Sequence, residues 1–151
     1  MSIEQEVELI RRIPIFERIQ PAMQKLLCFS SERLTYDAGQ VMFNAGDAAD
    51  AAYIIIEGSV EISVPTPSGP IIVNQLGKNE LLGEIAIFGD VPRTATATAQ
   101  TKLETLKISK ELFNKIIREN PDAAIELIRV LAARLANTTM QLSRTMSGTR
   151  P

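Results

Sequence analysis

The chain has 151 residues, 45% of them hydrophobic, with 16 Lys and Arg against 18 Asp and Glu and a formal charge of −2. That is enough for one domain with one core and too little for two, and the near-balanced charge excludes the broad basic face that duplex DNA requires. Histidine is absent, which removes imidazole-based catalytic groupings and histidine-built sites for first-row metals, so the expectation is a non-enzymatic protein with neither catalytic nor metal-ligating residues.

The amino terminus, Ser2 to Glu8, is acidic and lacks the basic-then-apolar order of a signal peptide, and no long uncharged apolar run follows anywhere. A cytoplasmic protein without membrane contact is expected. The segment Val7 to Ile13 is amphipathic and breaks at Pro14; Ile15 to Ile19 then lead into a helix opening at Pro21, where proline suits the first turn. The single cysteine, Cys28, lies in the apolar stretch Met23 to Phe29. It cannot form an intrachain disulfide and reads as a small packed hydrophobe in a reducing compartment.

From Glu32 the texture changes to short alternating runs at 33–36, 41–43, 52–56, 60–64 and 71–73, punctuated by Gly39, Gly46, Gly58, Gly69 and Gly77. Strands this short and this evenly spaced favour a barrel or sandwich over a parallel α/β sheet. The stretches Asp37-Ala38-Gly39, Gly46-Asp47 and Glu57-Gly58-Ser59 read as tight turns. Pro65 to Pro70 reads as an exposed strand connection.

Next comes the most informative segment, Leu82-Gly83-Glu84-Ile85-Ala86-Ile87-Phe88-Gly89-Asp90-Val91-Pro92-Arg93-Thr94-Ala95-Thr96-Ala97. Gly83 admits close backbone approach to a ligand, and Glu84 offers a carboxylate to a sugar hydroxyl. Glu84 to Phe88 is a short helix whose first amides have no partner within it, and the planar fork of Arg93 can hold two phosphate oxygens at once. Thr94 adds a hydroxyl. Taken singly, a Gly-Glu pair is a helix cap and an arginine after proline is a solvated charge; joined at this spacing they make an anion-and-sugar cradle.

These residues resemble the phosphate-binding cassette of the cyclic nucleotide-binding domain family, which runs Gly-Glu-Leu-Ala, a short gap, then Pro-Arg-Ala/Ser/Thr-Ala. The resemblance implies a ligand site made of Gly83, Glu84, Ile85, Ala86, Arg93, Thr94 and Ala95, with 3′,5′-cyclic AMP or cyclic GMP as ligand. Glu84 would take the ribose 2′-hydroxyl, Arg93 the equatorial phosphate oxygen, and Thr94 a further hydroxyl contact. It also implies a mainly β fold with flanking helices, a jelly-roll-like double-stranded β-helix called a β-roll. The single domain 1–151 would then divide into N-terminal helices at 1–31, the roll at 32–108 and C-terminal helices at 109–146. The chain departs from the pattern at Asn79-Glu80-Leu81-Leu82, where the family often has Gly-Asp-Phe/Tyr-Phe, and Asn79 can keep the turn because asparagine tolerates positive φ.

A last alternating run, 103–108, precedes a helix at 110–118 with Ser109 as N-cap, and Asn120-Pro121 opens another. From Asp122 to about Arg144 the helix is long. Ala124, Ile128, Leu131, Leu135, Thr138, Leu142 and Thr145 recur at alternating spacings of four and three, a coiled-coil seam that seeks a partner helix or, at Ile128 and Leu131, the chain's own roll. Leu135 to Thr139 resembles the dimer helix of the catabolite activator family, in which adjacent hydroxyls meet adenine, one from each subunit. That implies Thr138 and Thr139 as base contacts in a homodimer; the alternative is that they are exposed or set the register. Only Ser147-Gly148-Thr149-Arg150-Pro151 follow Met146, so no DNA-reading module and no nucleic-acid partner are expected.

The reading that results is a cyclic nucleotide receptor that moves its C-terminal helix to signal to an unidentified protein effector. A ligand-independent dimerisation or docking module is the alternative. A third reading, the sensory half of a longer transcription factor or channel, is disfavoured by Met1 and the short tail. The base stays open, since Thr94 can bond a guanine amino group while Thr138 and Thr139 lean towards adenine.

Overall fold

The apolar run Ala51 to Ile56 shows no polar side because the strand it forms is covered on both faces. Ala52, Ile54 and Ile56 face a cluster shared with the helices, while Ala51, Tyr53 and Ile55 face the inside of the roll. The structure, a computed structural model, describes residues 2–146 apart from the side chain of Thr145. In chain order the elements are α1 (Ile3–Arg11), α2 (Pro21–Ser30), β1 (Glu32–Tyr36), β2 (Val41–Phe43), β3 (Ala51–Glu57), β4 (Val60–Val64), β5 (Ile71–Leu76), β6 (Leu81–Leu82), α3 (Glu84–Gly89), β7 (Thr96–Ala99), β8 (Leu103–Ser109), α4 (Lys110–Glu119) and α5 (Pro121–Met146).

Two four-stranded antiparallel sheets, ordered β1-β8-β3-β6 and β2-β7-β4-β5, close the roll. This is the expected mainly β architecture with flanking helices and a long final helix. Two strands were not foreseen. β6 has only two residues, and β7 alternates threonine with alanine, whose small side chains fill the inside of the roll at Ala97 and Ala99. Gly58, at φ +96, could not be replaced without collision, because a Cβ there would lie 2.3 Å from the Lys102 carbonyl oxygen.

The helices cap one outer face of the roll. α1 starts at Ser2, whose side chain accepts from the Gln5 amide while the Gln5 side chain accepts from the Ser2 amide. Phe16, Leu27, Phe113, Ile116 and Leu127 pack there against β3 and β8. Cys28 belongs to this cluster, and burial pushes its thiol up to about 11, with Glu6 adding to the shift. A thiolate is therefore scarce at neutral pH. The folded protein is expected to resist a thiol-exchange reagent that labels it at once in denaturant; rapid native labelling would contradict this packing.

The long helix does not present the expected seam to one partner. Ala124 and Leu131 pack onto the helical cluster, whereas Ile128 and Leu135 are 63% and 69% exposed. The last seam position, Thr145, has its side chain outside the described residues. The exposed apolar row is instead Ile125, Ile128, Ala132, Leu135 and Met146, with Thr139 on the same stripe, rotated from the expected one because docking on the roll selects the buried face. No helix among the described residues is long and apolar enough to cross a membrane.

Candidate functional site

The cassette folds locally as its residues dictate. Gly83 caps α3 in the left-handed region at φ +83, and a Cβ there would stand 2.7 Å from Arg93 Nη1, so glycine is needed both for the turn and for the arginine beside it. Seven residues later Asp90 ends α3 at φ +55, held by Lys110 Nζ at 3.0 Å. The chain then turns back through Pro92. The backbone of Arg93 is clamped to the Gly46–Asp47 turn by paired 2.8 Å bonds, its amide donating to Asp47 and its carbonyl accepting from Gly46.

The Arg93 side chain points inward and is buried. Its Nη1 donates to the Gly83 carbonyl at 2.8 Å and its Nη2 to the Ala51 carbonyl at 2.6 Å, and the guanidinium lies 4.1 Å above the Phe43 ring. Burial lowers its pKa from the ordinary value, opposed chiefly by Tyr53 and Asp50. Glu84 is 0% exposed and pairs with Arg134 of α5, which also donates to the Leu81 carbonyl. Burial pushes the Glu84 carboxyl above the ordinary carboxylate range, while the Arg134 guanidinium draws it back.

Two polar atoms in this arrangement have no partner: Glu84 Oε2 and Arg93 Nε, both buried. Both residues line one cavity of about 260 Å³ between the cassette, β4, β5 and α5. Gly83, Ile85, Ala86, Thr94, Ala95 and Thr138 line it as well. The structure thus brings together every residue expected at the site except Thr139, which is exposed and not part of the lining. The reason is helical geometry: Thr139 is rotated about 100° from Thr138, and only one of two neighbours can face the roll.

Besides aliphatic wall residues, the lining includes three aromatic or polar side chains that were not expected there. Phe43 sits under Arg93, Asn74 comes from β5, and Arg134 precedes Thr138 by one helical turn on the same face. That i, i+4 spacing was the available signal for Arg134.

The family model for the cyclic nucleotide-binding domain matches residues 33–120, more than half of the chain. The chain therefore belongs to the cyclic nucleotide-binding domain family. It is 30% identical over 137 residues to a CRP-like cAMP-activated global transcriptional regulator of Mycobacterium tuberculosis, covering 90% of this chain and 61% of that protein. It therefore spans about three fifths of that relative's length. The sensor domain of the transcriptional regulator DNR from Pseudomonas aeruginosa superposes with a TM-score of 0.79 at 27% identity, over 88% of this chain and 90% of that one. The regulatory subunit of a cAMP-independent protein kinase A from Trypanosoma brucei shares the fold, with a TM-score of 0.80 at 20% identity over 95% of this chain and 51% of that one. All three are described as regulators, sensors or regulatory subunits.

Proposed function

We propose that this domain is a non-enzymatic cytoplasmic receptor that holds 3′,5′-cyclic AMP or cyclic GMP in the cavity between the cassette and α5. The observation that carries the reading is the pair of orphaned atoms, Glu84 Oε2 and Arg93 Nε, in one buried concavity. An unmatched buried acceptor and an unmatched buried donor are each costly, and a ribose hydroxyl beside a phosphate satisfies both at once. Thr94 and the first-turn residues Ile85 and Ala86 of α3 line the same cavity. A ligand-independent docking module would leave both atoms unsatisfied.

The switch follows from Glu84 having a second claimant. Arg134 ties α5 to Glu84 and to the Leu81 carbonyl, so a sugar that engages Glu84 changes what Arg134 holds and thereby the docking of the helix. The ligand acts through its different affinity for the two helix positions, and a protein effector reads the outcome. The exposed row on α5 supports pairing with a second copy of the chain. Thr139 lies on that row and in such a pair would reach the partner's ligand, while Thr138 would serve its own.

Calorimetric titration with each nucleotide tests the reading. Micromolar or tighter binding is expected, and Glu84→Ala should weaken it by about 1.5–3 kcal/mol, the worth of a hydrogen bond to a charged group. No heat from either nucleotide would sink the proposal.

A further inference from the structure

Asn74 is the one amide in an otherwise apolar wall of the cavity, beside Ile62, Val64, Val73 and Leu76. It faces inward because of a bulge. Ile62 pairs with Asn74 and Ser63 with Ile72, so Val73 is an extra residue in β5 and the two consecutive residues Val73 and Asn74 are both buried. Strict alternation would have turned one of them outward.

The hydrogen bonds of Asn74 fix which end of its amide remains available. Its Oδ1 accepts from the Gln75 backbone N–H at 3.0 Å and from Asn137 Nδ2 at 2.7 Å. A backbone N–H can only donate, so the acceptor must be the side-chain oxygen, and both of its lone pairs are used. What remains is the Nδ2 group with two hydrogens, which finds no protein acceptor among the described residues. Unlike Glu84 Oε2 and Arg93 Nε it is not sealed from solvent, so it is free to exchange water for an acceptor on a ligand.

We propose that Asn74 reads the purine and makes this pocket prefer a 6-oxopurine cyclic nucleotide over a 6-aminopurine one; this rests on the receptor reading above. Glu84, Arg93 and Thr94 occupy the cassette side, so a nucleotide held there by sugar and phosphate carries its base towards the β4, β5 and α5 wall. Guanine presents O6 and N7 as acceptors on one edge, whereas adenine presents an N6 amino donor beside N7. The Asn74 amino group can meet both acceptors of the first edge, whereas on the second it can meet N7 alone and is set against the N6 donor. Thr138, on the same wall, does not discriminate, because a hydroxyl donates or accepts as required. Asn74 is thus a specificity residue whose orientation is set by Asn137 of α5.

The test titrates the full chain with cyclic AMP, cyclic GMP and cyclic IMP, the last having O6 but lacking the 2-amino group that Thr94 could read. Cyclic GMP and cyclic IMP are expected to bind alike and at least about tenfold tighter than cyclic AMP. Asn74→Ala should bring the three within about threefold of one another. Asn74→Asp keeps the oxygen that Gln75 and Asn137 hold, preserves the fold as judged by thermal melting, and should turn the preference towards cyclic AMP. Three outcomes overturn the inference while leaving the receptor standing: cyclic AMP binding as tightly as cyclic GMP, cyclic IMP falling to the level of cyclic AMP, or ratios unmoved by either substitution. Absence of binding by all three nucleotides overturns the receptor reading and this inference together.

Discussion

Replacing Arg93 with alanine is expected to weaken cyclic nucleotide binding by about 2–5 kcal/mol, roughly 30-fold to several-thousand-fold in Kd. A guanidinium has five N–H groups, and here two point at the Gly83 and Ala51 carbonyls. Those two bonds and the stack on Phe43 fix the plane, so the Nε edge would meet a phosphate already oriented. Little side-chain entropy remains to be lost on binding. Most of the expected loss is the penalty of leaving a phosphate charge in an apolar cavity without its partner. The substitution also frees one buried and one partly buried carbonyl, so ligand-free stability should fall as well, and melting of the free protein separates the two effects. Arg93→Lys sharpens the test: it keeps the charge but not the fork, and it should lose most of the affinity. Calorimetry showing unchanged affinity in Arg93→Ala would mean that the anion is held elsewhere.

What the sequence made legible was what neighbouring residues determine together. The cassette is contiguous, so the turn at Gly83, the short α3 and the return to Arg93 could be read in order. The roll was recognisable from short alternating runs and the glycines between them, and β3 from the apolar run 52–56 ahead of the Glu57-Gly58-Ser59 turn. The failures share a different character. β7 is a run of threonine and alanine with little β signal of its own, and it exists because β2 and β4 pair with it on either side. Arg134 reads as a solvated helix charge until α5 docks and sets it against Glu84, fifty positions away. The inward aim of Asn74 depends on a bulge that only the pairing of β4 with β5 reveals. The heptad on α5 was read one stripe out of place because Ile128 and Leu135 fit either register, and contact with the roll, not periodicity, decides which face is buried.

Removing the other arginine, Arg134, should act on stability more than on chemistry. Taking one member from a buried ion pair leaves an uncompensated charge, at a cost of about 3–5 kcal/mol. Arg134→Ala strands the fully buried Glu84 in this way, and the expected loss at about pH 7 is of that size. The pH dependence identifies the cause. Burial already lifts the Glu84 carboxyl above its ordinary 4.5, and the nearby Arg134 charge is the largest influence holding it down. Without Arg134 the folded pKa rises further, while the unfolded value does not change. A group whose folded pKa is raised contributes stability that is present below the unfolded value and is lost as pH rises through the folded one. The deficit of Arg134→Ala relative to the parent should therefore be largest near neutrality and shrink as pH falls towards about 4.5, where the native carboxyl carries a proton. Adding Glu84→Gln to the variant removes the charge altogether and should restore most of the stability at about pH 7. Denaturant melts of the three proteins at about pH 7 and about pH 5 measure both effects. A deficit equal at the two pH values, and untouched by Glu84→Gln, would show that Arg134 supports α5 by packing alone and does not neutralise the carboxylate beneath it.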